Sequence, residues 1–265
     1  MPSSSLKDKW VVITGASSGF GAAAARLFGA AGARLLLGAR RVDKLQQVAA
    51  EAIQAGAPLA EAHALDVSRT TSVNTFVDWC RSRTEKLDVL INNAGGALGL
   101  DTVAQAKDED WEGMMQSNVL GVLRMVRASL PLLTTNPGSI ILNIGSIAGR
   151  VAYEGGAAYC AAKAGELQIT RALRLELCGT GVRVGTLDPG MAETEFSIVR
   201  FKGDTDRAKK VYEGVTPLNA DDVAEALLWM ANRPAHVNID EMVIKCTDQA
   251  AIHKVNRRPN ASTSK

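Results

Sequence analysis

The sequence predicts an α/β protein, a single domain built on a doubly wound parallel sheet of about seven strands. Two observations carry that expectation. Short β-branched or leucine-rich runs recur at Trp10 to Thr14, Arg34 to Gly38, Ala62 to Val67, Val89 to Asn92, Ile140 to Ile144, Val182 to Leu187 and Met242 to Lys245. Ala-rich segments long enough for crossover helices separate them, and such alternation buries a parallel sheet on both faces. No linker, low-complexity run or fixed-period repeat divides the chain. Residues 10–250 therefore read as one unit, with an N-terminal arm at 1–9 and a C-terminal tail at 251–265. Only these two ends read as loose. The stretch 189–215 is the longest without a strand signal, charged and patchily helical, as expected of a lid over a site.

The 265 residues, 46% hydrophobic and 22% charged, suffice for a substantial core. A net charge of +2 without a clustered basic excess argues against nucleic acid as a partner and leaves a small molecule as the expected one. Residues 1–9 contain no apolar targeting run, and Arg26 and Arg34 interrupt the most apolar stretch before it reaches membrane-spanning length. A cytoplasmic protein without a membrane span is expected. On that expectation the acceptor pattern Asn260-Ala261-Ser262 carries no weight, and the final Ser-Thr-Ser-Lys is not a peroxisomal address. Cys80, Cys160, Cys178 and Cys246 form no CxxC pair, and His63, His236 and His253 lack metal-ligand spacing. Reduced thiols and no metal follow, with Cys160 read as a small core residue.

Directly after the first run comes Thr14-Gly15-Ala16-Ser17-Ser18-Gly19-Phe20-Gly21, opening the helical run Ala22 to Ala31. Strand, glycine-rich turn and helix occur in the order that a dinucleotide requires. Gly15, Gly19 and Gly21 let the backbone turn tightly and approach a pyrophosphate, while the helix aims unpaired N–H groups at the anion. Ser17, Ser18 and Phe20 complete the candidate turn of a Rossmann-type fold. The spacing is GxxxGxG rather than GxGxxG, and a plain tight connection is the bland alternative.

Here the chain resembles the short-chain dehydrogenase/reductase family, whose hallmark is TGxxxGxG near the N-terminus, and the likeness continues almost to the C-terminus. The resemblance implies that Asp66 and Val67 border an adenine. It also implies that Asn92-Asn93-Ala94-Gly95 closes the fourth strand beside the adenosine ribose, with Asn93, Ala94 and Gly95 on the cofactor. The second strand ends Gly38-Ala39-Arg40-Arg41, with no carboxylate until Asp43. An acidic residue there would take the ribose hydroxyls of NAD, whereas two guanidiniums suit the 2′-phosphate of NADP(H), and Ser17 and Ser18 can add hydroxyls. NADP(H) is the expected cofactor, against the bland reading of Arg40 and Arg41 as a solvated helix start.

Tyr159-Cys160-Ala161-Ala162-Lys163 puts Tyr159 and Lys163 on one helix face. A phenol ordinarily titrates near pH ~10, and a nearby ammonium favours the phenolate, so the pair can move a proton to or from a substrate oxygen. Ser146 lies thirteen residues before Tyr159, and Asn118 lies on the preceding helix. These match the family's Asn-Ser-Tyr-Lys tetrad. The match implies that Ser146 holds the substrate oxygen, Tyr159 is the acid/base, Lys163 binds the nicotinamide ribose and Asn118 anchors a relay water. Pro189, Gly190, Ala192 and Thr194 match the segment that holds the carboxamide, with Ala192 smaller than the family's usual aliphatic residue.

Glu193 to Asp204 and Pro234 to Ile239 are similar to the NADP-dependent 3-hydroxy acid dehydrogenases, which include L-allo-threonine and serine dehydrogenases; sulfoacetaldehyde reductases are similar too. Such substrates need a fixed cation, and Arg200, in the expected lid, is the candidate. Its bland reading is a surface or inter-subunit salt bridge, since Glu193, Glu195 and Asp204 share the strip. A ketoacyl or steroid-like carbonyl reductase is the alternative enzyme, disfavoured by the lack of a dense basic docking patch and by only five Phe and three Tyr. A non-catalytic NADP(H) sensor would be free to lose Tyr159 or Lys163, and both are kept. The resemblance further implies a homotetramer or homodimer built on the helices containing Asn118 and Tyr159.

Overall fold

In the computed structural model, which describes residues 6–258, seven strands form one parallel sheet. They are β1 (Trp10–Thr14), β2 (Arg34–Ala39), β3 (Leu59–Ala64), β4 (Val89–Asn92), β5 (Ile140–Ile144), β6 (Arg183–Pro189) and β7 (Glu241–Ile244). Their order is β3-β2-β1-β4-β5-β6-β7. The order reverses between β1 and β4, which opens a crevice beyond their carboxyl ends.

Alternation along each strand explains the two covered faces. Val11, Ile13, Leu35, Leu37, Val89 and Ile91 point into one core, shared with α1 (Gly19–Ala30) and α2 (Val42–Ala55). Val12, Leu36, Leu90 and Ile141 point into the other, shared with α3 (Thr70–Arg81). The second face also receives α4 (Asp108–Met114), a π-helical turn at Met115–Leu120, α5 (Gly121–Thr134) and α6 (Ala157–Glu176). Both sides are apolar, so the strands read as continuous hydrophobic runs. In α1, Gly21 and Ala22 to Ala25 are buried, and their small side chains let the helix lie close to the sheet.

Two expectations need correction. The third strand is Leu59–Ala64 rather than Ala62 to Val67. It pairs with β2 from Arg34↔Leu59 to Ala39↔Ala64, after which Asp66 Oδ1 accepts from the Ser68 amide (3.0 Å) and hydroxyl (2.6 Å). The Leu65 amide makes the last bond to β2, donating to the Ala39 carbonyl at 3.0 Å, and the turn then takes Val67 away from the sheet although both remain buried. The ends, so far as they are described, are also not loose. Leu6 is buried and Lys9 pairs with Asp88 at 2.9 Å. Past residue 248, β8 (Gln249–Ala251) pairs antiparallel with β9 (Lys254–Val255), and the Arg258 amide donates to Gly214. Strands of three and two residues are too short for a periodic signal. Residues 1–5, the acceptor pattern at 260–262 and the final Ser-Thr-Ser-Lys lie outside the described residues.

The expected lid holds two short helices, α7 (Phe196–Arg200) and α8 (Thr205–Lys210). It is tied to the sheet by the Gly190 amide on Ile244, the isolated Ala192–Leu218 bridge joins its start to the residues before α9 (Ala220–Ala231), and α9 follows it onto the first face. No helix among the described residues is long and apolar enough to cross a membrane.

Candidate active site

At the carboxyl end of β1, Gly15 and Gly19 adopt φ of 66° and 54°, a region that side chains disfavour. The turn is clamped from β4. Asn93 Nδ2 donates to the carbonyls of Thr14 (2.8 Å) and Gly15 (3.2 Å), while Thr14 Oγ1 accepts from the Asn93 and Ala94 amides at 3.0 and 2.9 Å. Asn93 thus shapes the glycine turn. Ser18 makes no side-chain capping bond and no acidic residue stands in the first turn of α1, so the helix itself supplies no negative group to offset the positive end of its dipole. A Cβ on Gly19 would meet Thr194 at 3.5 Å, which places the segment after β6 against the same turn.

Of the two arginines after β2, Arg41 reaches the turn. It donates to Ser18 Oγ (2.6 Å) and Ser17 Oγ (3.4 Å), and also to Glu195 (2.8 Å), which takes a second bond from Lys44 (3.0 Å). Hydrogen bonds from Arg41 and Lys44 hold the Glu195 carboxyl down to about 2. Arg40 instead lies near Asp66. Burial pushes the Asp66 carboxyl up, but the Ser68 hydroxyl and amide, with Arg40 and Arg69, outweigh it and bring it below the usual range. Val67 is buried against Gly121.

The Asn-Ser-Tyr-Lys residues gather where β4, β5 and α6 meet. Ser146 precedes the 3-10 turn Ile147–Gly149, and its Oγ accepts from the Ala148 amide at 3.1 Å. Asn118, in the π-helical turn, accepts from the Gly96 amide (3.1 Å) and donates to the carbonyls of Gly96 (2.9 Å) and Met114 (2.8 Å). Widened turns of this kind recur at functional sites. A Cβ on Gly95 would collide with Asn118 Oδ1 and lie 3.9 Å from Lys163 Nζ, so only glycine fits between them. Lys163 is buried; its Nζ donates to the Ile144 carbonyl and to Glu166, each at 2.7 Å. Its partner Tyr159, one turn earlier on α6, packs its ring 5.6 Å from that of Phe196 on α7.

Arg200 joins this group from the end of α7. Its guanidinium donates to the Gly99 carbonyl (3.0 Å) and the Tyr153 hydroxyl (2.7 Å) and lies over the rings of Tyr153 (5.5 Å) and Tyr159 (5.8 Å). Burial pushes the Tyr153 phenol up despite Arg200. Arg200 forms no ion pair among the described residues, and it lines one pocket with Tyr159, Leu98, Trp111, Met114 and Ala158. Beneath the site, Asp188 accepts from Thr186 (2.7 Å) and Arg150 (2.5 Å), and Arg150 continues to Glu241 (2.6 Å). Pro189 and Gly190 follow Asp188 at the end of β6, and the Ala192 carbonyl accepts from the Tyr212 hydroxyl at 2.9 Å. No group of three or more His, Cys, Asp or Glu among the described residues is placed to hold a metal.

Sequence reasoning missed Tyr153, Glu166, Lys44 and the Arg150–Asp188–Glu241 chain, and it set Glu195 beside Arg200 where the structure pairs it with Arg41 and Lys44. Only Glu166 had a local signal, three residues beyond Lys163 on the same helix.

Comparison with known proteins agrees with this geometry. The family model for short chain dehydrogenases matches residues 9–204. A sulfoacetaldehyde reductase of Chromohalobacter salexigens is 42% identical over 91% of this chain and 95% of its own. An NADP-dependent 3-hydroxy acid dehydrogenase of Schizosaccharomyces pombe is 39% identical over 96% and 99%. Among solved structures, a closed serine dehydrogenase complexed with NADP+ superposes with a TM-score of 0.85 at 37% identity, covering 94% of this chain and all of the other. The matched region takes in the glycine turn, most of the sheet and the Tyr159–Lys163 pair, and the chain belongs to the short chain dehydrogenase family of oxidoreductases.

Proposed function

We propose that the protein is an NADP(H)-dependent oxidoreductase that interconverts a hydroxyl and a carbonyl on a small polar substrate: a 3-hydroxy acid such as serine or L-allo-threonine, or a related aldehyde. The observation that carries the substrate class is Arg200. Its guanidinium stands over the Tyr159 ring without an ion-pair partner among the described residues. The cofactor fits the residues present. Gly15 and Gly21 stand where a Cβ would strike Asn93 and neighbouring backbone, so they let the turn fold tightly at the head of α1, where a pyrophosphate would meet backbone N–H groups. Arg41 and Lys44, with the Ser17 and Ser18 hydroxyls, form a cationic cluster that already holds a carboxylate and suits a 2′-phosphate. Asp66, Val67, Asn93, Ala94 and Gly95 would border the adenosine, and Pro189, Gly190, Ala192 and Thr194 the nicotinamide.

When bound, NADPH supplies a hydride to the carbonyl carbon of the substrate. Ser146 donates a hydrogen bond to the substrate oxygen, and Tyr159 gives that oxygen its proton in reduction or takes one in oxidation. The Lys163 ammonium orients the ribose and favours the phenolate, while Asn118 holds the Gly96 backbone beside it. Residues 189–215 act as a lid that excludes water and brings Arg200 onto the substrate's acid group. Oxidation releases a proton, so alkaline buffer favours it.

The test compares Arg200→Met with the parent on L-serine and on an uncharged alcohol analogue. Loss of the clamp raises KM for the acid by about 10-fold or more, the effect of a charge-assisted hydrogen bond of about 1.5–3 kcal/mol, and leaves the analogue unchanged. Equal effects on both would make Arg200 structural. A sulfonate is the second reading, favoured by the 42% identity to a sulfoacetaldehyde reductase. Relative kcat/KM for sulfoacetaldehyde and L-serine decides between them.

The assembled form we propose is a homotetramer or homodimer in the cytoplasm. Leu123 on α5 and Leu175 on α6 support it, being 40% and 79% exposed. Sedimentation showing only a 28.0 kDa monomer at micromolar concentration would contradict it.

A further inference from the structure

The buried charge beside Tyr159 is a pair. Glu166, three residues past Lys163 on α6, is 1% exposed, and its Oε2 accepts from Lys163 Nζ at 2.7 Å. Its Oε1 is buried with no hydrogen-bond partner among the described residues. An aliphatic side chain would fill this space without desolvating a charge, and replacing buried ion pairs by apolar residues often stabilises a fold. The carboxyl is therefore not explained by packing. Its ammonium partner is also fixed by the Ile144 carbonyl on β5 at 2.7 Å, which leaves one of the three Nζ hydrogens for other acceptors.

We propose that Glu166 is a positioning residue for the reaction: it fixes the Lys163 ammonium beside Tyr159 and offsets its charge, so that a Lys163–Glu166 pair governs the Tyr159 proton. Glu166 acts through Lys163 and exchanges no proton with substrate. The charged groups around it are few. Lys163 faces it from α6, and Asp188 acts on it from β6, with Arg150 bound to the far side of Asp188. Burial pushes the Glu166 carboxyl up to about 7, with Lys163 opposing and Asp188 adding to the rise. Burial also works against the Lys163 charge, but Glu166 and Tyr159 outweigh it and hold that ammonium above its usual value. With Glu166 protonated the pair carries a net positive charge that favours a phenolate; with Glu166 ionised the pair is neutral and the support weakens. Glu166 is thus a brake that engages as pH rises.

The inference rests on Tyr159 as the proton carrier, and its test needs no substrate. With NADP+ bound, the near-ultraviolet absorbance of the phenolate is titrated in the parent and in Glu166→Gln, with Tyr159→Phe as background. Glutamine keeps the shape and an acceptor for Lys163 but removes the charge. The phenolate fraction at about pH 8 is expected to rise on the order of threefold, equivalent to about half a pH unit. An unchanged or smaller fraction overturns the proposal. Should Glu166→Gln fail to fold, the parent alone decides: coupled groups ionise over a wider pH span than one proton requires, and a one-proton curve overturns the proposal. A shifted titration in a protein inactive on every hydroxy acid and aldehyde would fault the proposed function while leaving the Glu166 coupling measured.

Discussion

Arg41 holds Ser17, Ser18 and Glu195 at once, and we propose it as the residue on which cofactor choice turns. Arg41→Ala is expected to weaken NADPH binding by about tenfold and leave NADH unchanged; the side chain is 45% exposed, so solvent reduces the larger loss a buried charged bond would give. Fluorescence titration with both nucleotides reads this directly, and an equal loss for both would contradict the assignment. The sequence placed two arginines at this edge, and only side-chain geometry separates Arg41 on the serines from Arg40 near Asp66. The glycine turn and the Tyr159–Lys163 pair were legible because their chemistry lies within one turn of backbone. Tyr153 and Glu195 were not, because they meet Arg200 and Arg41 across 47 and 154 residues of chain.

At the scale of elements, the segment before α7 is anchored to the start of α2 through Glu195, which occupies the cations expected to take a 2′-phosphate. A carboxylate and a phosphate compete for the same donors. Glu195→Gln is therefore expected to tighten NADPH binding on the order of threefold, by calorimetry, because the parent must first break a surface ion pair of up to about 1 kcal/mol. Arg41 and Lys44 hold this carboxyl near 2, so the difference should be constant from about pH 5 to about pH 8. A loss of NADPH affinity would show that Glu195 aids the site instead. The strand core was legible from apolar runs, but β3 was displaced because Leu65 and Val67 are buried although they lie beyond its last residue, Ala64. Burial and strand membership give the same sequence signal, and the Asp66 turn that separates them depends on local hydrogen bonds.

At the scale of the molecule, Glu241 on the edge strand β7 joins Arg171 of α6 (2.7 Å) and Arg150 (2.6 Å), tying the last strand to the layer that carries Tyr159. Hydrogen bonding to Arg171, with Arg150 adding to it, brings its carboxyl down to about 2 from the usual 4.5. A depressed carboxyl stabilises the fold fully above its unfolded value and loses that contribution as pH falls through the folded one. Glu241→Gln is expected to cost about 1–2 kcal/mol at neutral pH, after discounting the roughly 3 kcal/mol of the full shift for solvent screening, with the difference closing as pH falls from about 4.5 to about 2. Urea unfolding of both proteins across that range measures it, and a constant difference would contradict the ion-pair account. The doubly wound order was legible because alternating strands and helices admit few topologies. The docking of both ends was not, since it rests on single contacts such as Lys9–Asp88 and Arg258–Gly214.

The central claim is that Tyr159 moves the proton in an NADP(H)-linked reaction at the mouth of this sheet. Tyr159→Phe keeps the ring that packs on Phe196 and removes only the hydroxyl. Measured side by side with the parent, its NADPH dissociation constant should be unchanged, while kcat for NADPH oxidation with the best hydroxy acid's carbonyl partner falls by about 10²–10⁴, the usual contribution of a positioned acid. Undiminished kcat in that variant, with cofactor binding intact, would contradict the account.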